Sequence, residues 1–394
     1  MRLAIVNMAE VVSSPIEGDA LLATDGVIEW IGSSSEVDRG ACDAVLDANG
    51  TSGVPGFIDS HVHVAFGDYT PRQRTVGFLE SYLHGGTTRS ISASEVHVPG
   101  RPSDPAGVVA LAIAAQRCYQ GFKPGGMIVH GGSVILEPGL TDEHFAQLQR
   151  EGVWLGKAGF GAFSSPMEYV PVVEAARRAG LVVMCHTGGG SIAGSQERIG
   201  ADALIAMNPN VCGHVNGGPT AMPDRDNERI VDEGGDMALQ LVHAGNLRSA
   251  IEIAERALAN GCAGRLLIAS DTPTGTGMIP LAMLRTMAEL VSLGPLTPDL
   301  ALAASTAHVA EAYRLDAGAL DVGRPADVVL LDSPIGSAAP TWRAALEIGD
   351  LPAVGAVVTE GVIRLSRSRN TPPPKHPIGV QINNADAVLA QLSA

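Results

Sequence analysis

The segment GVPGFIDSHVHV, residues Gly53 to Val64, places two histidines one residue apart at the end of an apolar run. Because side chains alternate along a β-strand, His61 and His63 are expected to face the same side. Two imidazoles on one side can bind a single metal ion. They could equally be core residues, so the choice between a metal site and a structural role depends on partners elsewhere in the chain.

The composition is that of a large, packed globular protein. The 394 residues are enough for a barrel of about 250 residues and a further module, and 45% of them are hydrophobic. The net charge of −16 disfavours nucleic acid and anionic membranes as main partners. Five scattered cysteines without a CxxC pair favour a reducing compartment. With no signal-peptide or membrane-span pattern, a cytoplasmic protein is expected.

The pattern of apolar and polar residues changes along the chain. Short alternating runs in residues 1–52 and 323–366 predict a small β domain, with hairpin turns at Asp25-Gly26 and Glu360-Gly361. Between them, residues 53–322 alternate apolar runs with helical patterns such as EYVPVVEAARRAG and LRSAIEIAERALANG. Such alternation indicates parallel strands connected by helices.

We therefore expect an α/β protein: a distorted (β/α)8 TIM barrel at 53–322 and a small β-sandwich domain built from both chain ends. Residues 367–394 begin with the Pro-rich segment RSRNTPPPKHP and are expected to form an extended C-terminal tail. That tail could clasp a neighbouring subunit.

Six polar side chains follow predicted strands at the end where a (β/α)8 barrel keeps its active site. A single histidine after a strand is more often structural than functional, whereas six such residues in register favour a metal site. The six are His61, His63, Lys157, His186, His214 and Asp271.

This set resembles the amidohydrolase superfamily, which has an HxH motif, a bridging residue, two further histidines and a final aspartate. Longer segments, which are more specific, resemble the enamidases within it: EVHVPGRP, IVHGGSVILEPGLT, HVNGGPTA, TGTGMIPL and SRNTPPP. The resemblance covers nearly the whole chain. It implies a binuclear metal-dependent hydrolase that opens a cyclic amide with a metal-bridging hydroxide. It also implies a homotetramer.

The resemblance implies a role for each histidine and for the aspartate. His61 and His63, together with Asp271, would bind the first of two divalent ions, and His186 and His214 would bind the second. Zn is the expected metal, although these ligands also suit Fe, Mn or Co. Asp271 would also accept a proton and pass it to the leaving nitrogen.

Lys157 occupies the bridging position, where the enamidases carry a glutamate. An ammonium group cannot bind a cation, so Lys157 is expected to carry a CO2-derived carbamate, as the bridging lysine does in related hydantoinases and dihydroorotases. The alternative is an unmodified Lys157 beside a single metal ion. The acid of the opening segment, Asp59, is expected to be structural rather than a ligand.

Substrate contacts are predicted less directly. His97 and His130 lie near predicted strand ends and could orient a carbonyl or stabilise its oxyanion, or could be hydrogen-bonded loop residues. Gly188 and Gly189 in HTGGGS offer backbone N–H groups, although glycines also serve tight turns. Thr274 could form another wall of the pocket.

Other readings remain open on the sequence alone. A related amidohydrolase could act on another lactam, an imide, a hydantoin-like ring or an N-acyl substrate. A remote alternative is a non-catalytic metal-binding scaffold on the same fold. Three arginines could recognise an anionic substrate, although each could also be a solvated surface residue: Arg72, Arg74 and Arg101.

Overall fold

The computed structural model describes residues 1–63, 72–94, 100–189, 197–217, 221–273 and 277–393, with the backbone only for 72–76 and 393. The strands are β1 (Arg2–Val6), β2 (Glu10–Val11), β3 (Ala20–Thr24), β4 (Val27–Gly32), β5 (Ala44–Asp47), β6 (Ser52–Pro55), β7 (Phe57–Val62), β8 (Thr87–Ser92), β9 (Ile128–His130), β10 (Val134–Ile135), β11 (Leu155–Ala158), β12 (Val182–His186), β13 (Val211–Gly213), β14 (Ala238–Val242), β15 (Leu266–Ala269), β16 (Val328–Asp332), β17 (Ala353–Thr359), β18 (Val362–Leu365) and β19 (Gly379–Ile382). The helices are α1 (Arg72–Leu83), α2 (Pro105–Gln120), α3 (Asp142–Arg150), α4 (Tyr169–Arg178), α5 (Ala201–Met207), α6 (Asp224–Glu233), α7 (Leu247–Ala259), α8 (Ala282–Ser292), α9 (Pro298–Ala304), α10 (Ala307–Tyr313), α11 (Trp342–Glu347) and α12 (Ala385–Ser393).

Strands β7 to β15 form two parallel sheets, ordered β7-β8-β9 and β10-β11-β12-β13-β14-β15. Helices alternate with these strands, and the two quoted helical patterns are α4 and α7. The α/β class predicted from the sequence is therefore confirmed. Among the helices of the described ranges, none combines the length and the apolar character needed to cross a bilayer.

Alternation along the parallel strands decides which side chains share a face. Leu155, Met184 and Ala238 belong to one apolar cluster on one face of β11, β12 and β14. Two residues further along each strand, the same face continues with a polar side chain. These polar residues are Lys157, His186 and Gln240, and all three are buried. The core thus ends in a polar layer near the carboxyl ends of the strands.

The segment after β15 lies alongside β7. The amide of Asp271 donates to the carbonyl of His61 at 2.9 Å, and the amide of His63 donates to the carbonyl of Thr272 at 2.9 Å. Asp59 adds a side-chain link, since its Oδ1 accepts the N–H groups of His61 and Ser270. The structural role predicted for Asp59 is consistent with these bonds, which join the two segments that carry candidate ligands.

Two five-stranded sheets, ordered β19-β5-β1-β3-β4 and β18-β17-β16-β6-β2, pack on a shared apolar core. The core residues come from both ends of the chain, for example Leu3 and Ile28 with Val328 and Val358. Both predicted turns are present as two-residue hairpin loops, β3–β4 and β17–β18, with positive φ at both central residues. The two chain ends thus share one apolar core, and their division into a small β-sandwich domain stays a prediction.

The C-terminal tail differs from the prediction of an extended segment. Strand β19 pairs antiparallel with β5, so that Gly379 lies opposite Asp47, and α12 follows it. Residues before β19 are anchored as well, because Asn370 donates to the Ser81 carbonyl and the Ser368 hydroxyl donates to the His84 carbonyl. The residues after the Pro-rich segment do not form an extended tail, because the backbone of β19 is hydrogen-bonded to β5 and α12 follows.

A buried ion pair joins the parallel sheets to the sandwich. Arg89 of β8 donates to Asp327 Oδ2 at 2.7 Å, and Asp327 Oδ1 accepts the Glu360 amide at 2.9 Å. The two side chains are only 10% and 6% exposed. An uncompensated buried charge remains when one partner of such a pair is removed.

We expect Arg89→Met to lower the free energy of unfolding by about 3–5 kcal/mol because Asp327 would lose its cation. The control is Arg324→Met, which breaks an exposed pair with Asp316 and should cost about 0–1 kcal/mol. Denaturant unfolding followed by circular dichroism measures both. Equal losses in the two variants would contradict the importance of the buried pair.

Candidate metal centre

The two histidines of the opening motif meet Asp271. His61 Nε2 and His63 Nε2 each lie 3.3 Å from Asp271 Oδ1, and the two imidazole rings are 5.4 Å apart. The two side chains therefore lie on one side of the chain, as the one-residue spacing predicts. Asp271 reaches them from a backbone with φ of 56°, in the left-handed region just after β15.

The second pair of histidines lies directly beside the first. His214 Nε2 is 2.9 Å from His186 Nδ1, and the His214 ring is 5.3 Å from that of His61. His61, His214 and Asp271 together offer three ligand atoms within 4.8 Å of one another. Four predicted histidines and the predicted aspartate thus form one cluster.

Lys157 completes the cluster from β11. The Lys157 side chain is fully buried, its Nζ donates to Met184 Sδ at 3.1 Å, and it lies 5.5 Å from the centre of the Phe160 ring. Burial lowers the pKa of Lys157 to about 8, because a charged ammonium is poorly solvated there. The neutral, nucleophilic amine is therefore a larger fraction of Lys157 near neutral pH than of an exposed lysine, although the ammonium still predominates below pH 8.

Burial also favours the neutral form of three of the imidazoles. It lowers the pKa of His61 and of His186 well below the usual value, and lowers that of His214 to about 4. Burial would raise the pKa of Asp271, but the neighbouring His61 and His63 outweigh it and hold that pKa well below its usual range. Neutral imidazoles beside an ionised carboxylate are the protonation states that bind a divalent cation.

The donor set fits a metal ion. Ligand bonds of about 2.0–2.2 Å place adjacent ligand atoms of a tetrahedral ion about 3.3–3.6 Å apart. The separations of His61 Nε2 and His63 Nε2 from Asp271 Oδ1, both 3.3 Å, are close to this range. In addition, His186 Nε2 and His214 Nδ1 are buried without a hydrogen-bond partner among the described residues. Because buried polar groups normally have a bonding partner, these two nitrogens fit a site that binds a metal ion.

Three further residues were predicted to contact substrate: His130, His97 and Thr274. His130 packs edge to face on Trp154, with ring centres 5.6 Å apart, and burial lowers its pKa to about 3. Its described contacts do not include the clustered histidines. His130 is the last residue of β9, so it lies at a strand end as predicted, and a role in contacting substrate stays a prediction. His97 and Thr274 fall outside the described residues.

The two glycines that were predicted to bind substrate, Gly188 and Gly189, lie against the backbone of Arg198 and Ile199. The Gly188 amide donates to the Ile199 carbonyl at 2.9 Å, and Gly188 accepts from Ile199 in return. A Cβ on Gly189 would lie 2.7 Å from the Cα of Arg198. The Gly188 N–H is therefore not available to a substrate, which corrects that prediction. The contact of Gly189 with substrate stays a prediction.

Sequence reasoning missed a buried acid that contacts the loop after Lys157. Glu137 follows β10, is fully buried, and accepts from Arg101 Nη1 at 2.5 Å and from the Ala162 amide at 2.6 Å. Arg101 also donates to the Phe160 carbonyl. The charge of Arg101 is thus paired within the chain, and the pair secures the loop that follows Lys157. The only sequence signal was an acid directly after the apolar run SVIL.

A second missed residue is Gln240, the single polar residue of the β14 segment ALQLV. Its side chain is fully buried and lies 2.5 Å from His61 Nδ1. A lone glutamine in an apolar strand gave no period or motif to recognise.

Comparison with known proteins identifies the family to which this chain belongs. Residues 54–364 match the Amidohydrolase family. The chain is 42% identical over 381 residues to the enamidase of Eubacterium barkeri, covering 95% of this chain and 98% of that protein. It is 28% identical over 394 residues to the imidazolonepropionase of Pseudomonas aeruginosa strain UCBPP-PA14, covering 85% of this chain and 91% of that protein.

Comparison with solved structures agrees with this family assignment. The crystal structure of an enamidase superposes with a TM-score of 0.90 at 40% identity, covering 97% of this chain and all of that one. N-isopropylammelide isopropylaminohydrolase from Burkholderia multivorans ATCC 17616 matches with a TM-score of 0.61 at 18% identity, covering 93% and 99% of the two chains. The second likeness concerns the fold alone.

We expect His186→Gln to lose bound metal because the variant removes an imidazole ligand from the cluster. The matched control is His130→Gln, which changes a partly buried histidine of β9 whose described contacts do not include the clustered residues. Metal content per chain, measured by plasma mass spectrometry after dialysis, should fall only in His186→Gln. Retained metal in that variant, or equal loss in both, would argue against the ligand assignment.

Proposed function

Because this chain belongs to the amidohydrolase family, it is a hydrolase of carbon–nitrogen bonds, and we propose that it opens a cyclic amide at a binuclear metal centre. The observation that carries the proposal is the meeting of the predicted ligand set in one buried cluster. The 42% identity to an enamidase across nearly the full length of both chains supports the cyclic amide as the substrate class.

The proposed ligands divide between two ions. His61, His63 and Asp271 would hold one ion, His186 and His214 the other, and Lys157 would bridge them as a carbamate. Divalent ions bound there would lower the pKa of a water molecule and polarise the amide carbonyl. Zn is proposed first, although imidazole and carboxylate ligands also suit Fe, Mn and Co.

The carbamate on Lys157 would form from the neutral amine. Nζ bonds to the carbon of CO2 and releases one proton, which gives two oxygens and a net negative charge. Burial supports this reaction because it lowers the pKa of Lys157 to about 8. Packing against Met184 and Phe160 leaves the ammonium form poorly solvated, so the neutral amine that reacts with CO2 is more abundant than in an exposed lysine.

Asp271 is proposed as the proton shuttle. Its carboxylate stays ionised beside His61 and His63, so it can accept the proton of the attacking water. It would then deliver that proton to the ring nitrogen as the carbon–nitrogen bond breaks. The buried surroundings strengthen each of these electrostatic effects compared with water.

We further propose that the two parallel sheets build the (β/α)8 barrel typical of this superfamily. The hydrogen bonds between β7 and the segment after β15 support this, since they link the first and the last parallel strands. A cytoplasmic location and a homotetramer remain predictions.

The function is tested by incubating the metal-loaded protein with a panel of rings and following the gain of one water by mass spectrometry. The panel holds 6-oxo-1,4,5,6-tetrahydronicotinate, hydantoins, dihydropyrimidines, simple lactams and an imidazolone. Turnover of the tetrahydronicotinate alone would support an enamidase activity. Turnover of another ring would keep the chemistry and change the substrate, and a failure with every cyclic amide would refute the proposal.

Asp271→Asn should retain most of the metal because its amide oxygen can still occupy the ligand position. It should lose about 10²–10⁴-fold in kcat/KM, since an amide cannot accept the proton. Metal content and initial rates are measured on the same sample, with the surface variant Asp316→Asn as the control. Full activity of Asp271→Asn would exclude it as the proton shuttle.

Lys157→Ala should lose metal and activity together, and a short carboxylic acid such as propionate should restore part of both by supplying the missing oxygens. Wild-type protein with the same additive serves as the control. If Lys157→Ala retains both ions without any additive, the carbamate is not needed and this part of the proposal is wrong.

A further inference from the structure

Both the oxygen and the nitrogen of the Gln240 side-chain amide have two hydrogen-bond partners. Its Oε1 lies 2.5 Å from His61 Nδ1 and 3.3 Å from the His214 backbone nitrogen. Its Nε2 donates to the Ser60 hydroxyl at 2.8 Å and to the Ser60 carbonyl at 3.3 Å. The side chain thus connects three strand ends, of which two carry candidate ligands.

The backbone partners decide which way the amide faces. The His214 N–H can only donate, so it must meet the amide oxygen. The Ser60 carbonyl can only accept, so it must meet the NH2 group. Turning the amide over would set two donors against each other at His214 and two acceptors at Ser60. The orientation of Gln240 therefore follows from fixed backbone groups rather than from an arbitrary choice of oxygen and nitrogen.

This orientation selects the tautomer of His61. An amide oxygen accepts and cannot donate, so the 2.5 Å contact requires a proton on His61 Nδ1. In the neutral ring the lone pair then resides on Nε2, the nitrogen that faces Asp271 Oδ1 at 3.3 Å. The same oxygen holds the His214 backbone at the point where its ring turns toward His186.

We propose that Gln240 is a positioning residue of the metal centre, which fixes His61 as the Nδ1–H tautomer and so directs Nε2 to the metal. The inference rests on the metal centre proposed above. Groups that hydrogen-bond a ligand imidazole in this way contribute about 10–100-fold to metal affinity. As a positioning residue, Gln240 itself would contact neither the metal nor the substrate.

The test uses Gln240→Met, which keeps the approximate size and removes the acceptor, and Gln240→Glu, which restores an acceptor oxygen. Leu241→Ala is the matched control, since it removes a buried side chain from the same strand on the opposite face. Each protein is stripped of metal and titrated with Co2+ against a competing chelator. The visible absorption of bound Co2+ reports the geometry of the ligands, which a general loss of stability would not alter.

We expect Gln240→Met to bind Co2+ about 10–100-fold more weakly with a changed absorption spectrum. Gln240→Glu should bind more tightly than Gln240→Met, and Leu241→Ala should match the wild type. The inference is overturned if Gln240→Met binds like the wild type, if Gln240→Glu gives no recovery, or if Leu241→Ala weakens binding equally. A wild type that binds no Co2+ would instead overturn the metal centre itself.

Discussion

The cluster depends on the hydrogen bonds between β7 and the segment that follows β15. Those bonds place Asp271 beside His61 and His63, although more than 200 residues separate them in the chain. Asp59 reinforces the same contact with two backbone N–H groups. Every other candidate ligand lies on strands between these two segments, so this contact sets the position of the whole layer.

The polar layer is an unstable arrangement without a cation. Several imidazoles, an amine and a carboxylate are withdrawn from water, and two ring nitrogens find no partner in the described part of the chain. Burying such groups costs free energy unless they are hydrogen-bonded or coordinated. The apolar cluster beneath them and the hydrogen bonds of the surrounding strands supply the stability that holds the layer together.

The sequence was most informative where spacing and strand ends act together. His61, His63, His186, His214 and Asp271 were predictable because each follows an apolar run, and both hairpins followed from their Gly-containing turns.

The remaining features depend on tertiary contacts that no local pattern carries. The sequence around Gly188 is the same whether its backbone binds a substrate or pairs with Ile199, so the sequence cannot distinguish the two roles. A glutamine such as Gln240 reveals its role only through partners on other strands. The four residues of β19 are too few to signal a strand after a Pro-rich segment.

The pairing of β19 with β5 has a consequence for biosynthesis. The ribosome releases β5 early, but its partner β19 emerges more than 330 residues later. Until then β5 offers an open sheet edge, which is prone to pair with other chains. This sheet is therefore completed only once Gly379 to Ile382 have emerged, and a chain that stalls before Gly379 keeps that edge uncovered.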